Sequence, residues 1–146
     1  MIVVDTNIIG ALYLNSERSG QAEQALLKDP HWAAPMLWRS ELRSVLTLYL
    51  RKKLFSVTDA HEVMEAAGRL LRGREYEVAS LRIFRLAAEC SCSAYDCEFI
   101  ALAMDLDVPL VTVDRQILAR FPETAVALEV FAGEERSSGP FCYRSA

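Results

Sequence analysis

No apolar run in the sequence approaches the roughly 20 residues that a membrane-spanning helix needs, so no membrane partner is expected. The first apolar stretch, Ile2-Val3-Val4, has no basic start and stops on Asp5. That excludes a secretory signal and makes a cytoplasmic chain the expectation. Cysteine is scarce: Cys90, Cys92, Cys97 and Cys142 form no paired C-x-x-C knuckles, and His31 and His61 lie far from them. A zinc site is therefore not expected. Cys90, Cys92 and Cys97 fall at or between apolar helical segments, where free cysteine behaves as a small hydrophobe in a reducing compartment. Positive charge is also short, with 16 Lys and Arg against 20 Asp and Glu, a net charge of −4 and a pI near 5.2. A chain that grips nucleic acid by its own charge has the opposite balance. There is no internal repeat and no need for a second domain, because 146 residues with 52% hydrophobic content make one unit with a full core.

What is present is a pair of apolar runs that each end on an acid. Ile2-Val3-Val4 leaves no polar face, which fits a central parallel strand covered on both sides, with Asp5 at its carboxyl end. Leu110-Val111-Thr112-Val113-Asp114 repeats the pattern. Between and after them the chain alternates. A short helix or turn is expected over 8–14, a helix from Ser19 to about Lys28, a weak extended piece at Ala33-Ala34-Pro35, and a long helix over 36–53. Leu42, Val45, Leu46, Tyr49 and Leu50 make the core stripe of that long helix. Thr58 is the expected cap of the next helix, closed by Arg72-Gly73, and a short strand is expected at 77–79. Helices over 80–90 and after Ser93 follow, the second with Tyr95, Phe99, Leu102 and Leu106 on one face. A short helix over 115–121 and an edge strand over 126–130 complete the ordered part, residues 1–132. Residues 133–146 read as a polar, loosely held tail, with Phe141 and Tyr143 as anchors. The fold class is α/β, a three-layer α/β/α sandwich with a mostly parallel central sheet.

In such sheets the functional crevice forms at the carboxyl ends of the strands, where strand order reverses. Asp5 and Asp114 end two strands, Asp96 opens a helix and Glu41 sits one turn into another, so the four acids are candidates for one crevice. Clustered carboxylates either raise their pKa values or recruit a cation, and oxygen-only ligands suit Mg²⁺ or Mn²⁺. Each acid also has a plain structural use. Asp5 can start an Asx-turn, Asp114 can cap a helix, Glu41 can be solvated, and Ser93-x-x-Asp96 reads as a capping box.

These motifs resemble the PIN domain family, and within it the VapC-type toxins of bacterial toxin–antitoxin pairs. The likeness is carried by Val4-Asp5-Thr6-Asn7, Ser40-Glu41-Leu42 with Val45-Leu46, Ala94-Tyr95-Asp96-Cys97-Glu98-Phe99 with Ala101-Leu102-Ala103, and Val111-Thr112-Val113-Asp114. The resemblance implies a metal-dependent endoribonuclease, its PIN-like domain spanning 1–132. Asp5, Glu41, Asp96 and Asp114 would hold one or two Mg²⁺ or Mn²⁺ ions, and water would be the nucleophile, leaving 5′-phosphate and 3′-hydroxyl ends. Thr6, Asn7 and Thr112 would orient the carboxylates by hydrogen bonding. Arg39, Arg43 and Arg115 are candidates for RNA phosphate, and Glu98 for the rim. A cognate antitoxin protein and a homodimer are the implied partners, with an exposed apolar patch around Tyr49, Leu50, Phe55 and Met64 as the expected dimer surface.

Two other readings stay open. One is a haloacid-dehalogenase-like phosphatase with Asp5 as nucleophile, although that chemistry wants an acid where Asn7 stands. The other is a non-catalytic PIN-like module that binds RNA or protein.

Overall fold

The N-terminal β-branched run forms β1 (Ile2–Val4), every residue of which is buried. The computed structural model describes residues 1–133. Beside β1 lie β2 (Trp32–Pro35), β3 (Glu75–Tyr76), β4 (Leu110–Thr112) and β5 (Ala125–Ala127), all parallel, in the order β3-β2-β1-β4-β5. β1 is central, with Ile2 opposite Trp32 on one side and Val4 opposite Val111 on the other. The chain builds outward from β1 through β2 to β3, then crosses to β4 on the other flank. Strand order therefore reverses between β1 and β4, and their carboxyl ends deliver Asp5 and Asp114 to the same edge.

Parallel strands need crossover connections, and helices supply them on both faces. α1 (Thr6–Tyr13) contacts β1 and β4 and packs against α2 (Ser19–Lys28), α3 (Trp38–Arg51) and α4 (Val57–Leu70). α6 (Ala94–Leu106) lies across β1, β2 and β4 and is covered by α5 (Ser80–Glu89), while α7 (Arg115–Arg120) packs beside β5. The result is the expected three-layer sandwich.

Several local expectations are corrected. Ala33-Ala34-Pro35 is no weak strand but a fully buried neighbour of β1, as its small side chains fit between helical layers. Ser56, not Thr58, caps α4: its hydroxyl accepts from Asp59 N at 3.0 Å, and Asp59 Oδ2 accepts from Ser56 N at 2.9 Å. The third strand falls at Glu75–Tyr76 instead of 77–79, because Gly73, at φ 78°, turns the chain straight into the sheet edge. The last strand is Ala125–Ala127, after which the chain turns helical over 128–133. In α3 only Leu42 and Leu46 of the proposed stripe are buried; Val45 is 36% exposed because it lines a crevice. In α6 Tyr95 is 62% exposed, while Cys97, Ile100, Ala101 and Ala103 are buried along with Phe99 and Leu102. A helix held between a sheet and a second helix is apolar nearly all round.

Tyr49, Leu50, Phe55 and Met64 are half-buried against the core, with the Tyr49 and Phe55 rings edge-to-face at 5.2 Å, while Leu48, Leu54 and Val57 beside them in sequence are exposed. Cys92 and Cys97 are buried and Cys90 half-buried; burial pushes the thiols of Cys92 and Cys97 up to about 11 and about 12. Cys142, Phe141, Tyr143 and the tail beyond Gly133 lie outside the described residues.

Candidate active site

Asp5, Glu41, Asp96 and Asp114 all line one cavity of about 560 Å³. Each stands at a helix start. Asp5 caps α1, Glu41 and Asp96 lie in the first turns of α3 and α6, and Asp114 caps α7. The partial positive charge of helix N-termini favours acids there, which offsets part of the repulsion among them.

Asp5 is the most enclosed, 9% exposed. Its Oδ1 accepts from Thr6 N at 2.8 Å, and its Oδ2 accepts from Thr112 Oγ1 at 2.7 Å and Asn7 Nδ2 at 3.3 Å. Thr112, fully buried on β4, also accepts from Asp114 N at 3.0 Å, so a single hydroxyl ties the ends of β1 and β4 together. Thr6 Oγ1 donates to Glu41 Oε1 at 2.7 Å, which joins α1 to α3. Asp114 Oδ1 accepts from Gln116 N at 2.8 Å and Ile117 N at 3.2 Å. The capping reading of Asp114 thus holds while the residue also lines the cavity. Ser93 Oγ accepts from Asp96 N at 3.1 Å, setting the first turn of α6. Among the described residues no donor meets Glu41 Oε2 or Asp114 Oδ2.

Burial raises Asp5 from 3.8 to about 6, against the lowering by Thr112 and Thr6, with the charges of Glu41 and Asp96 adding to the rise. Burial also raises Glu41 and Asp96; Asp96 adds to the rise at Glu41 and Asp114 to that at Asp96. Glu98 is raised by burial and by Glu41, which places it near the same field. The cluster is therefore short of positive charge.

Oxygen-only donors, with Asp5, Glu41 and Asp96 held above their ordinary pKa values, match a hard divalent cation in charge and chemistry. Asn7 Oδ1, buried with no hydrogen-bond partner among the described residues, is one more oxygen beside Asp5. Among the described residues, however, no three His, Cys, Asp or Glu side chains are arranged to hold one ion.

The arginines divide differently from expectation. Arg39 is turned to the opposite side, where Nε meets Glu75 Oε1 at 2.6 Å and Nη2 meets Oε2 at 2.9 Å, alongside Trp38 Nε1 donating to Oε1 at 2.7 Å. This two-point pair removes Arg39 from the acid crevice. Arg43 and Arg115 are exposed and do not line it. The basic residue that does is Arg18, at the start of α2, which the sequence pattern did not single out. Only its position two residues beyond Ser16 at a helix start marks it. One stretch of the cavity wall is apolar, with Leu14, Val45, Leu48 and Tyr49, and Ser16 and Ser44 also line it.

A PIN domain model matches residues 2–133. The chain belongs to the PIN domain family. Ribonuclease VapC3 of Pyrobaculum aerophilum is 31% identical to this PIN domain over 124 residues, which cover 83% of this chain and 95% of that protein. Ribonuclease VapC9 of Mycobacterium tuberculosis is 34% identical over 119 residues, covering 80% of this chain and 88% of that one. Among solved structures, a chain of a toxin–antitoxin complex from Klebsiella pneumoniae superposes with a TM-score of 0.69 over 88% of this chain and 98% of its own, at 19% identity. At that identity the likeness speaks for the fold of this PIN domain alone.

Proposed function

We propose that this PIN domain is a Mg²⁺- or Mn²⁺-dependent endoribonuclease and the toxin of a toxin–antitoxin pair. The observation that carries it is the convergence of Asp5, Glu41, Asp96 and Asp114 on one crevice, with Thr6 and Thr112 bonded between them. The relatives named ribonucleases support the substrate class.

Asp5, Glu41, Asp96 and Asp114 are the residues we assign to the ion. A bound divalent cation supplies Lewis acidity, acidifying water and neutralising charge on the phosphate. The chain's own residues do the positioning. Thr6, Asn7 and Thr112 occupy lone pairs of Asp5 and Glu41 and so fix which oxygens remain for the crevice. Arg18 offers a flanking RNA phosphate its charge, and the apolar wall of Leu14, Val45, Leu48 and Tyr49 offers a base or ribose a dry surface. Asn7 has no proton to give as a general acid and donates its amide hydrogens to Asp5 and Thr112, which leaves the phosphatase reading without a proton donor there.

The partner we assign is an antitoxin that sets a basic side chain among the four acids and so competes with the ion. A homodimer belongs to the same proposal on family resemblance, and light scattering of the purified chain decides it. The test of function is cleavage of RNA by the pure protein with Mn²⁺, with chelator, and in an Asp96→Asn variant. Metal-independent cutting, or full activity in the variant, sinks the assignment.

A further inference from the structure

Cys90, Cys92 and Cys97 gather where α5 passes the chain to α6. Cys90 is the half-buried C-cap of α5, and Cys97, the fourth residue of α6, is fully buried. Cys90 Sγ stands 3.9 Å from Cys97 Sγ. The whole connection between the helices is Ser91-Cys92-Ser93, and Ser93 is the cap whose hydroxyl accepts from Asp96 N. Asp96 immediately precedes Cys97. Any bond between the two sulfurs therefore closes around the turn that places Asp96 in the crevice.

We propose that Cys90 and Cys97 are an oxidation site, joined by peroxide into a reversible disulfide that displaces Asp96; its effect on cleavage rests on the ribonuclease reading above. Cys90, the thiol with access to solvent, reduces hydrogen peroxide to water and becomes a sulfenic acid. The Cys97 thiol then gives up its proton as its sulfur attacks that sulfur, and the hydroxyl leaves with that proton as a second water. The two thiols lose two hydrogens and two electrons, which the peroxide gains. A thiol reductant reverses the bond by exchange. Cys92 is separated from Cys90 by one residue, and so short a loop strains the bond's preferred geometry.

The consequence follows from length. A disulfide holds its sulfurs at about 2.05 Å, so the pair closes by roughly 1.9 Å from its present spacing. Cys97 is itself fixed in the core with Phe99, Ile100 and Leu102, so the movement falls on half-buried Cys90 and on the loop behind it, whose Ser93 hydroxyl holds the turn that carries Asp96. Transient disulfides in reducing compartments are typically of this sensing kind.

The experiment treats the full chain, reduced beforehand, with hydrogen peroxide, blocks remaining thiols by alkylation, and maps peptides without reduction. The expected result is a peptide pair joined through Cys90 and Cys97, lighter by two hydrogens and absent from Cys90→Ser. Recovery of Cys90 only as an unlinked oxide, or linked to Cys92 or Cys142, overturns the site. In parallel, RNA cleavage with Mn²⁺ is expected to drop roughly tenfold or more in the oxidised protein, to return with dithiothreitol, and to be insensitive to peroxide in Cys90→Ser. Unchanged cleavage in cross-linked protein overturns the displacement of Asp96. If the reduced protein cuts no RNA, the ribonuclease reading fails by itself, while the peptide map still decides the oxidation site.

Discussion

Thr112 and Asp5 stand 107 residues apart in sequence, yet Thr112 Oγ1 donates to Asp5 Oδ2 at 2.7 Å inside the sheet edge. The same oxygen accepts from Asp114 N, so the pair sets the spacing of two acids at once. Replacing Thr112 with valine keeps the shape and removes both bonds, together with the one the hydroxyl accepts from Asn7 Nδ2. The expected cost is about 1–3 kcal/mol of stability and a roughly tenfold to hundredfold loss of metal affinity or activity. Urea unfolding and a Mn²⁺ titration measure the two separately; a variant unchanged in both would contradict the arrangement.

Asp5→Asn and Asp96→Asn are expected to lose RNA cleavage while keeping the circular dichroism of the wild type, because neither opens a core cavity. Without metal each should melt no lower than wild type, since a repelling charge is gone, and each should gain less from added Mn²⁺. Matched melting curves with and without the ion check this.

The pH dependence of metal-free stability carries a definite sign. Asp5 is raised from 3.8 to about 6 in the folded chain. A folded value above the unfolded one means that the neutral carboxyl favours folding. That contribution is whole below the unfolded value and is lost as pH rises through about 6. In chelator, Asp5→Asn and wild type should be nearly equal near pH 4, and the variant should become more stable toward about pH 8, by about 3 kcal/mol at most. A pH-independent difference between them would refute the cause.

Arg18 and Arg39 should separate cleanly. Arg18→Ala is expected to raise KM and to lower the salt slope of RNA binding by about one, with kcat little changed. Arg39→Ala should leave cleavage alone and cost about 1 kcal/mol of stability, since its partner Glu75 also accepts from Trp38. Kinetics at several salt concentrations, alongside unfolding of both variants, decide it.

Sequence alone determined the strands that end on acids, the helices that open on them and the layered parallel sheet. These follow from short-range rules: β-branched runs with no polar face, acids at helix starts, and alternation of strand and helix. Ser93 ahead of Asp96 and Ser56 ahead of Asp59 are capping patterns of the same local kind, although Thr58 competed with the second. Tertiary structure decided what depends on neighbours distant in the chain. The order β3-β2-β1-β4-β5 set Asp5 beside Asp114. The partner Glu75, on another element, turned Arg39 away from the crevice. Val45 and Leu48 share the spacing of core residues in α3, but at 36% and 53% exposure they face a cavity that the packing of α1 against α3 creates. Arg18 comes to line the acids' cavity, and Cys90 comes within 3.9 Å of Cys97, through packing that no periodicity encodes, because side-chain period fixes a face and not what stands opposite it.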